Sequence, residues 1–313
     1  MHKAVFIDYT RTDIPLPYLS RITKLFKVNK FIPRDGKNLY KELKDATAVF
    51  AKISTIIDKQ IIDSAPNLKY VGVLSTAFDA IDAKYAKTKR ITVCNLGGYS
   101  TEAVAEFALA ALLEQLRLLE EAKKQARNED YSFTNFMCRE LKGRTLGVVG
   151  AGKIGSRVAE LALGIGMKVI YFSRKNKPAI EKKGAKKKSL DKVLSESDFI
   201  SLNLILNKET EGIISKKKIE LLKKSCIFIS TAPPKLIDQE AIMSRAAKGD
   251  IFFIFDHSDD IPSSLVKRYL KIKKCVVYPP VAFRTEEANT ARYETFASNI
   301  EVFVRGKSKN VVN

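Results

Sequence analysis

The sequence has no apolar stretch that could cross a membrane, and it is poor in cysteine and histidine. A membrane-spanning helix needs about 20 consecutive apolar residues, a length that no run of this chain reaches. The first residues, from Met1 to Asp8, have the pattern of a strand and lack the apolar length of a signal peptide. The four cysteines lie far apart, without the spacing of a metal site. We therefore expect free thiols, no bound metal and a reducing compartment, the cytoplasm.

Lysine gives the chain a large positive charge. There are 55 Lys and Arg residues against 35 Asp and Glu residues, which makes the formal net charge +20. Such an excess suits nucleic acid, an anionic membrane surface or an anionic ligand. The lysines form short, dispersed runs such as 186–188 and 216–218, and these runs do not alternate with aromatic residues. This dispersion favours a solvated surface that attracts phosphorylated ligands, and it disfavours a nucleic-acid or membrane partner.

Strand-like and helix-like segments alternate along the chain, which is the pattern of a parallel α/β protein. A length of 313 residues with 45% hydrophobic residues fits about two such domains. The predicted strands are 4–7, 48–51, 70–73, 146–149, 168–172, 199–204, 225–230, 251–255 and 275–278. The longest predicted helix runs from Ser100 to about Arg127, and a loop from Asn128 to Glu140 follows it. Residues typical of helix N-caps precede three later helical segments: Ser189, Ser215 and Asp238.

A glycine-rich motif follows one predicted strand and opens a predicted helix. Its residues are Gly150, Gly152, Lys153, Ile154 and Gly155. The first glycine permits a tight turn, the second lets a pyrophosphate approach the backbone, and the third lets helix and strand pack closely. The start of the helix then offers unpaired N–H groups and a partial positive charge to the anion. The motif predicts a dinucleotide-binding site, and the alternative is a tight turn that binds nothing.

The residues after the next predicted strand indicate which cofactor is preferred. They are Ser173, Arg174 and Lys175. An acidic residue at this place would bind the ribose hydroxyls of NAD, whereas an arginine suits the 2′-phosphate of NADP. We therefore predict NADP(H) as the preferred cofactor, with NAD(H) still possible. The alternative is a basic loop on a lysine-rich surface.

Further motifs extend over nearly the whole chain. They are Pro66–Val73, Phe78–Asp82, Val93–Asn95, Gly98–Thr101, Val104–Glu106, Glu140–Gly147, Glu209–Gly212, Ala282–Ala288 and Asn310–Asn313. With the glycine-rich motif, they resemble the D-2-hydroxyacid dehydrogenase family. The resemblance implies two Rossmann-like, doubly wound parallel-sheet α/β domains, with the nucleotide domain inserted in a discontinuous substrate domain. The substrate domain would comprise 1–99 and 284–313 and the dinucleotide-binding domain 100–283, with the active site in the cleft between them and a homodimer built on the long helix.

The three positions to which the family assigns its catalytic groups hold other residues in this chain. Pro233 occupies the position of the Arg that binds and polarises the keto acid. Ile261 occupies the position of the Glu that holds the catalytic His, and Pro280 occupies the position of that His. Proline and isoleucine have no ionisable group, so reduction of a 2-keto acid by the family's usual mechanism is not expected.

Other site residues follow from the same resemblance. Asp256, Thr231 and Ala232 match positions that help to place the cofactor. The loop of Ser75, Thr76 and Ala77 matches the segment that binds the substrate carboxylate, with Ala77 in place of the usual glycine. We predict that these residues keep those roles.

Four side chains are candidates to replace the missing catalytic groups, namely His257, Tyr278, Arg284 and Lys52. His257 is flanked by carboxylates and could act as a relocated acid, and its alternative is a histidine that only holds its own loop. Tyr278 is a second candidate acid, and its alternative is a tyrosine that only packs against other side chains. Arg284 and Lys52 could bind an anion, and for both the alternative is a solvated surface position.

Two function hypotheses remain open. The first is an NADP(H)-preferring oxidoreductase that transfers a hydride to a small carbonyl or imine substrate in a non-standard active site. The second is a catalytically inactive NAD(P)-binding sensor or scaffold protein. The intact glycine-rich motif fits both hypotheses, and the loss of all three catalytic residues is what the second one predicts.

Overall fold

The computed structural model describes residues 1–313, and the chain divides into two compact units. Unit 1 consists of Met1–Ser100 and Thr285–Asn313, and unit 2 consists of Thr101–Arg284. Each unit is built on one parallel β-sheet with helices around it. The predicted fold class of two parallel-sheet α/β domains is therefore confirmed.

Unit 1 has a five-stranded sheet with the order β2-β1-β3-β4-β5, in which every strand pair is parallel. The strands are β1 (Lys3–Ile7), β2 (Val28–Ile32), β3 (Ala48–Ala51), β4 (Tyr70–Val73) and β5 (Thr92–Cys94). The helices are α1 (Leu16–Thr23), α2 (Leu39–Leu43), α3 (Lys59–Asp63), α4 (Ala83–Thr88) and α13 (Glu286–Val304). Strands β1, β3 and β4 are buried on both faces, so they appear in the sequence as continuous apolar runs.

The C-terminal helix α13 covers one face of the unit 1 sheet. Phe296, Ala297 and Ile300 are buried in the same cluster as Phe50, and the rings of Phe50 and Phe296 lie 5.5 Å apart in an edge-to-face arrangement. Residues from the end of the chain therefore complete a core whose strands all come from its first hundred residues.

An arginine of α1 is paired with two glutamates of α13. The guanidinium of Arg21 donates to Glu301 at 2.9 Å and to Glu294 at 2.6 Å. These hydrogen bonds hold the pKa of both glutamates below the ordinary range. Because the groups are partly exposed, we expect the network to contribute only about 1 kcal/mol, the scale of exposed ion pairs.

Unit 2 has a seven-stranded parallel sheet with the order β12-β11-β10-β9-β6-β7-β8. Its strands are β6 (Thr145–Val149), β7 (Lys168–Phe172), β8 (Lys186–Lys187), β9 (Phe199–Leu202), β10 (Cys226–Ser230), β11 (Ile251–Phe255) and β12 (Cys275–Val277). Its helices are α5 (Thr101–Arg117), α6 (Leu119–Arg127), α7 (Lys153–Gly164), α8 (Pro178–Glu181), α9 (Leu190–Glu196), α10 (Lys216–Glu220), α11 (Gln239–Ala247) and α12 (Ser263–Leu270). Two apolar clusters, one on each face of the sheet, form its core.

The prediction of one long helix from Ser100 to Arg127 is wrong. Leu118 has a left-handed backbone, with φ of 50° and ψ of 43°, and it separates α5 from α6. Helix α5 buries apolar side chains in the unit 2 core, whereas α6 is charged and has no buried residue. Since nothing packs α6 against the core, the helical pattern in the sequence did not require the two helices to share an axis. The predicted loop from Asn128 to Glu140 is free of helix and strand and is confirmed.

Most predicted strands are confirmed with small changes at their ends. The strand predicted as 199–204 stops at Leu202, the one predicted as 225–230 starts at Cys226, and the one predicted as 275–278 stops at Val277. The cap side chains of Ser189 and Asp238 accept backbone N–H bonds, whereas that of Ser215 does not. All four cysteines are free thiols, as expected. No helix combines the length and the apolar character that crossing a bilayer requires.

Candidate functional site

The glycine-rich motif lies at the edge of the unit 2 sheet where its strands end. All seven strands are parallel, so their carboxyl ends share this edge. The connections run in opposite directions from β6, whose neighbours are β7 on one side and β9 on the other. Ligands of open parallel sheets bind in the crevice at such a reversal. The motif starts directly after β6 and therefore lies at this reversal.

Two glycines of the motif are required by the protein's own packing. Gly150 has φ of 96°, and a Cβ atom on it would lie 2.9 Å from the backbone of Asn203. A Cβ atom on Gly155 would lie only 2.0 Å from the carbonyl oxygen of Gly150. Gly155 therefore lets α7 approach the end of β6, and Gly150 makes the turn between them.

Gly152 differs from the other two glycines because the space beside it is open. A Cβ atom there would meet no other atom within 4 Å, and φ is −72°, which any residue can adopt. Gly152 is also the N-cap of α7, and the helix has no side-chain cap. The open space and the uncapped start of a helix of 12 residues fit a pyrophosphate bound to the backbone. Lys153 and Ile154 form the first turn of this helix.

The segment Ser173–Lys175 follows β7 and carries exposed positive charge. The guanidinium of Arg174 is paired with Glu209 at 2.9 Å, and the two side chains are 77% and 71% exposed. Lys187 of β8 donates its ammonium hydrogens to the carbonyl oxygen of Arg174 at 3.3 Å and to Asn176 at 2.8 Å. The sequence motif did not indicate either Glu209 or Lys187 as a neighbour of this segment, because both are distant in the chain.

The three residues expected at the family's catalytic positions lie at the same edge of the unit 2 sheet. Pro233 precedes a short 3₁₀ helix after β10, and Ile261 follows another after β11. Ile261 packs against the unit 2 core, and Pro280 lies in the loop after β12. None of these side chains can donate or accept a proton.

Asp256, Thr231, Ala232 and His257 lie together after β10 and β11. The buried carboxylate of Asp256 accepts hydrogen bonds from the backbone of Val281 at 3.0 Å and of Ala282 at 3.2 Å. Burial raises the pKa of Asp256, although these N–H groups oppose the shift. The structure thus gives Asp256 a role in holding the loop after β12, whereas its predicted contact with a cofactor stays a prediction. Ala232 is buried, and Thr231 is partly exposed.

Both ring nitrogens of His257 lie near oxygen atoms of the protein. Nε2 lies 3.2 Å from the carbonyl oxygen of Thr231, to which a protonated Nε2 donates. Nδ1 lies 3.6 Å from a carboxylate oxygen of Asp260 and 4.0 Å from one of Asp259. The ring is partly exposed, so it remains accessible to a ligand. This arrangement fits an acid as well as a histidine that only fixes its loop.

The other two candidates of unit 2 differ in their surroundings. The hydroxyl of Tyr278 donates to Glu114 of α5 at 2.5 Å, and the Tyr278 ring packs edge-to-face on Phe107. Burial and the carboxylate of Glu114 both raise the pKa of Tyr278 well above the ordinary value, which makes it a weaker acid. Arg284 is exposed at the end of the loop after β12. Tyr278 therefore fits the packing alternative better than the catalytic one.

The predicted substrate-binding residues lie at the carboxyl edge of the unit 1 sheet. Ser75, Thr76 and Ala77 follow β4, where Ser75 Oγ accepts from the backbone of Ala77 at 3.1 Å and Thr76 donates to the carbonyl of Leu96 at 3.0 Å. Lys52 follows β3, and its ammonium is paired with Asp13 at 2.9 Å. The structure brings these residues to one edge of unit 1 and holds the loop in a fixed conformation.

Sequence relatives agree on one class of enzyme. A family model described as D-isomer specific 2-hydroxyacid dehydrogenase, NAD binding domain, matches residues 109–282. A glyoxylate reductase of Thermococcus litoralis is 33% identical over 93% of this chain and 90% of its own length. A hydroxypyruvate reductase of Blautia hydrogenotrophica is 30% identical over 89% of this chain and 88% of its own length. The prediction of an NAD(P)-dependent oxidoreductase family acting on CH–OH groups is thereby confirmed.

Solved structures give the same result for the whole chain. A D-lactate dehydrogenase from Aquifex aeolicus, complexed with NAD and lactic acid, superposes with a TM-score of 0.83 at 27% identity, over 97% of this chain and 96% of that one. An acyclic imino acid reductase in complex with NADPH and D-Arg superposes with a TM-score of 0.85 at 27% identity, over the full length of both chains. The described fold, the NAD-binding domain in unit 2 and these relatives lead to one conclusion: the chain belongs to the D-isomer specific 2-hydroxyacid dehydrogenase family.

Proposed function

We propose that this protein is an NADP(H)-preferring oxidoreductase that transfers a hydride to a small carbonyl or imine substrate in a non-standard active site. Unit 2 would hold the cofactor, and unit 1 would hold the substrate. The observation that carries the proposal is the open, uncapped start of α7 at Gly152, in a chain without ionisable groups at Pro233, Ile261 and Pro280. The glycine-rich motif that would bind a nucleotide is present, while the residues expected at the proton donor and its partners have no ionisable group.

The cofactor would be held by residues at the ends of β6, β7 and β10. The backbone at Gly150, Gly152 and Gly155 would bind the pyrophosphate, with Lys153 and Ile154 beside it. Thr231 and Ala232 would lie near the nicotinamide. A bound nicotinamide cofactor supplies the hydride, and the protein orients it and excludes competing reactions.

The preference for NADP(H) rests on Arg174, supported by Ser173 and Lys175. A guanidinium can bind a phosphate through two parallel N–H bonds. The ammonium of Lys187 adds a further positive charge at the same segment. Glu209 opposes the preference, because its carboxylate is paired with Arg174. The pair is exposed, so breaking it costs little, and a phosphate carrying two negative charges would displace it.

An imine is the substrate that the altered site suits best. A carbonyl must receive a proton together with the hydride, and this chain has no His at the family's position. An imine near neutral pH arrives already protonated, so it needs no acid from the protein. The similarity to an acyclic imino acid reductase bound to NADPH supports this reading. If the substrate is a carbonyl, His257 is the proposed acid, because its ring is partly exposed and Nδ1 lies within 4.0 Å of the carboxylates of Asp259 and Asp260.

A titration with NADPH and NADH tests the cofactor proposal. We expect the wild-type protein to bind NADPH more tightly than NADH. Arg174→Ala should weaken NADPH binding by about tenfold or more and leave NADH binding unchanged, because a charge-assisted hydrogen bond is worth about 1.5–3 kcal/mol. Lys182→Ala is the matched control, because Lys182 is an exposed cation of the same basic region outside the segment Ser173–Lys175. Equal or tighter binding of NADH by the wild-type protein would contradict the proposed preference.

A turnover panel tests the reaction. NADPH oxidation is followed with 2-oxo acids and aldehydes alone, and with the same 2-oxo acids mixed with ammonia or methylamine, which generate imines in solution. Oxidation only with the amine present supports imine reduction, and His257→Gln should then leave the rate unchanged. Oxidation by carbonyls alone, lost in His257→Gln, supports His257 as the acid.

The alternative, a catalytically inactive NAD(P)-binding sensor or scaffold protein, keeps one observation in its favour. Pro233, Ile261 and Pro280 together remove every catalytic group of the family while the nucleotide cradle is kept. Tight NADPH binding without oxidation by any member of the panel would support this alternative and reject the enzyme.

The proposed homodimer rests on an exposed apolar segment of unit 2. Tyr131, Phe133 and Met137 lie in the loop after α6 and are 79%, 82% and 90% exposed. Such a concentration of exposed apolar side chains is typical of protein interaction sites and supports the homodimer. We expect the wild-type protein to have the mass of a dimer by light scattering, and Phe133→Asp to shift it toward the monomer. A monomeric wild-type protein would reject the homodimer.

A further inference from the structure

The sheet of unit 1 has its own reversal of strand order, at β1 and β3. In the order β2-β1-β3-β4-β5, the connections lead one way from β1 to β2 and the other way from β3 onwards. Ligands of open parallel sheets bind beyond the carboxyl ends of the strands at such a reversal. Tyr9 follows β1 and Lys52 follows β3, and the hydroxyl of Tyr9 donates to the carbonyl of Ala51 at 2.9 Å.

Arg292 of α13 reaches the same edge of the sheet. Its Nη2 donates to the carbonyl oxygen of Leu74 at 3.1 Å, directly before the loop of Ser75, Thr76 and Ala77. Its Nε is buried and has no hydrogen-bond partner. A buried guanidinium N–H without an acceptor is costly. Arg292 therefore donates to the Leu74 carbonyl and keeps its Nε donor unused.

The charge of Arg292 acts on the residues around the strand ends. Burial raises the pKa of Tyr9 and of Tyr99, and the positive charge of Arg292 opposes the increase at both hydroxyls. The guanidinium carbon also lies 5.8 Å from the ring centre of Tyr293. Arg292 is thus surrounded by aromatic rings and backbone and lies within electrostatic reach of Tyr9, at the reversal.

No carboxylate of the protein neutralises Arg292. It forms none of the ion pairs of the structure, whereas Lys52, a cation that follows β3 at this edge, is paired with Asp13 at 2.9 Å. The hydroxyl of Tyr293 donates to the backbone carbonyl of Asp13 at 3.3 Å and so helps to hold that pair. Of the two cations, Lys52 has its countercharge and Arg292 does not.

We propose that Arg292, beside the loop of Ser75, Thr76 and Ala77, binds the carboxylate of a small 2-oxo or 2-imino acid and so replaces the substrate-binding arginine whose family position is occupied by Pro233. This inference rests on the proposed function for the identity of the ligand. A guanidinium presents a planar set of donors that suits a carboxylate. The hydrogen bond to Leu74 fixes Arg292 relative to the loop before any ligand arrives, so little ordering is needed on binding.

The proposal is tested by calorimetric titration of the full-length protein with oxamate, a small carboxylate, and with oxamide, its neutral counterpart of similar size. Arg292→Gln removes the charge but keeps a donor for the Leu74 carbonyl, and Arg292→Lys keeps the charge without the planar geometry. We expect Arg292→Gln to weaken the binding of oxamate by about 10- to 100-fold, which is the range for a lost hydrogen bond to a charged group. Arg292→Lys should weaken it less. Arg305→Gln, at the exposed C-terminal end of the same helix, is the matched control and should bind oxamate as the wild type does.

Oxamide separates recognition of charge from loss of structure. If Arg292 only supports the fold, the variants should lose affinity for oxamate and oxamide in parallel, and this result would overturn the proposal. Equal binding of oxamate by the wild type and by Arg292→Gln, or no oxamate binding by the wild type, would also overturn it. If Arg292→Gln does not fold, the ratio of oxamate to oxamide affinity in Arg292→Lys decides. Losing the planar donors of the guanidinium lowers that ratio only if Arg292 binds the carboxylate, and an unchanged ratio would overturn the proposal.

The same protein samples are titrated with NADPH, which keeps the two proposals apart. Arg292-dependent binding of oxamate without NADPH binding or turnover would leave the carboxylate site standing and reject the oxidoreductase. Turnover of uncharged aldehydes with no binding of oxamate would do the reverse.

Discussion

The open space at Gly152 allows a substitution that separates cofactor binding from stability. In Gly152→Ala the new Cβ would meet no atom of the protein within 4 Å, and the backbone with φ of −72° is one that alanine adopts readily. We therefore expect the thermal midpoint of the variant without ligand to equal that of the wild type. The same methyl group would occupy the space through which a pyrophosphate approaches the backbone.

The size of the effect follows from the cost of overpacking. An extra methyl group in a well-packed site typically costs about 1–3 kcal/mol, which corresponds to roughly 5- to 150-fold weaker NADPH binding. Gly155→Ala is the comparison variant, because its new Cβ atom would lie 2.0 Å from the carbonyl oxygen of Gly150. That variant should lose both NADPH binding and thermal stability, since backbone must move to admit the methyl group.

Gly164→Ala, at the other end of α7, is the control for replacing a glycine in this helix. A Cβ atom there also meets nothing within 4 Å, so NADPH binding should be unchanged and stability equal or slightly higher. Affinities come from cofactor fluorescence and stabilities from thermal unfolding. Wild-type affinity in Gly152→Ala would refute the assignment of the pyrophosphate to this backbone. A loss of stability in Gly152→Ala as large as in Gly155→Ala would show that the Cβ atom of residue 152 collides with atoms of the protein.

Three other predictions concern stability and reactivity. Glu294 and Glu301, the partners of Arg21, have pKa values lowered from the ordinary 4.5, so the pairing stabilises the fold above about pH 4.5, and its contribution is lost as the pH falls through the folded values. Arg21→Met should therefore cost about 1 kcal/mol in urea unfolding at pH 7 and less at pH 3, and an equal cost at both would contradict the network. Burial raises the pKa of the Cys226 thiol to about 12, so iodoacetamide at pH 8 should label the more exposed Cys138 long before Cys226, and equal rates would show that the core opens readily. Tyr278→Phe should destabilise the protein by about 1 kcal/mol through the lost bond to Glu114 and leave turnover unchanged, whereas a loss of turnover of about 100-fold or more would restore Tyr278 as the acid.

The core strands could be predicted because each of them is an apolar run within one short segment of the sequence. Strands β6 and β11 are buried on both faces or nearly so, and an apolar run with a turn at its end is enough to identify them. Strands β2 and β8 lie at the edges of their sheets and keep exposed or polar residues, such as Lys186 and Lys187, so no apolar run marks them. The glycine-rich motif could be predicted for a similar reason, since its strand, turn and helix are contiguous in the chain.

Contacts made over long distances in the chain could not be predicted. Arg174 pairs with Glu209, and Arg292 bonds to the carbonyl of Leu74; 35 residues separate the first two and 218 the second two. No local pattern connects such residues, because the fold brings them together only after the sheets have formed. The turn at Leu118 was missed for another reason, since helical periodicity on both sides gives no sign of a single left-handed residue between them.

The dependence of the unit 1 core on α13 has a consequence for the order in which the protein folds during synthesis. The last strand of the unit 1 sheet ends at Cys94, and the helix that covers its aromatic face begins only at Glu286. At a translation rate of about 5–20 residues per second, roughly 10–40 s pass between the synthesis of β5 and that of α13. During that interval the face that carries Phe6, Phe50 and Tyr70 has no cover from α13, while unit 2, which is continuous in the chain, can already fold on the ribosome. The nascent chain is therefore most exposed to aggregation, and most in need of a chaperone, after its first domain-sized segment has been synthesised and before its last helix emerges.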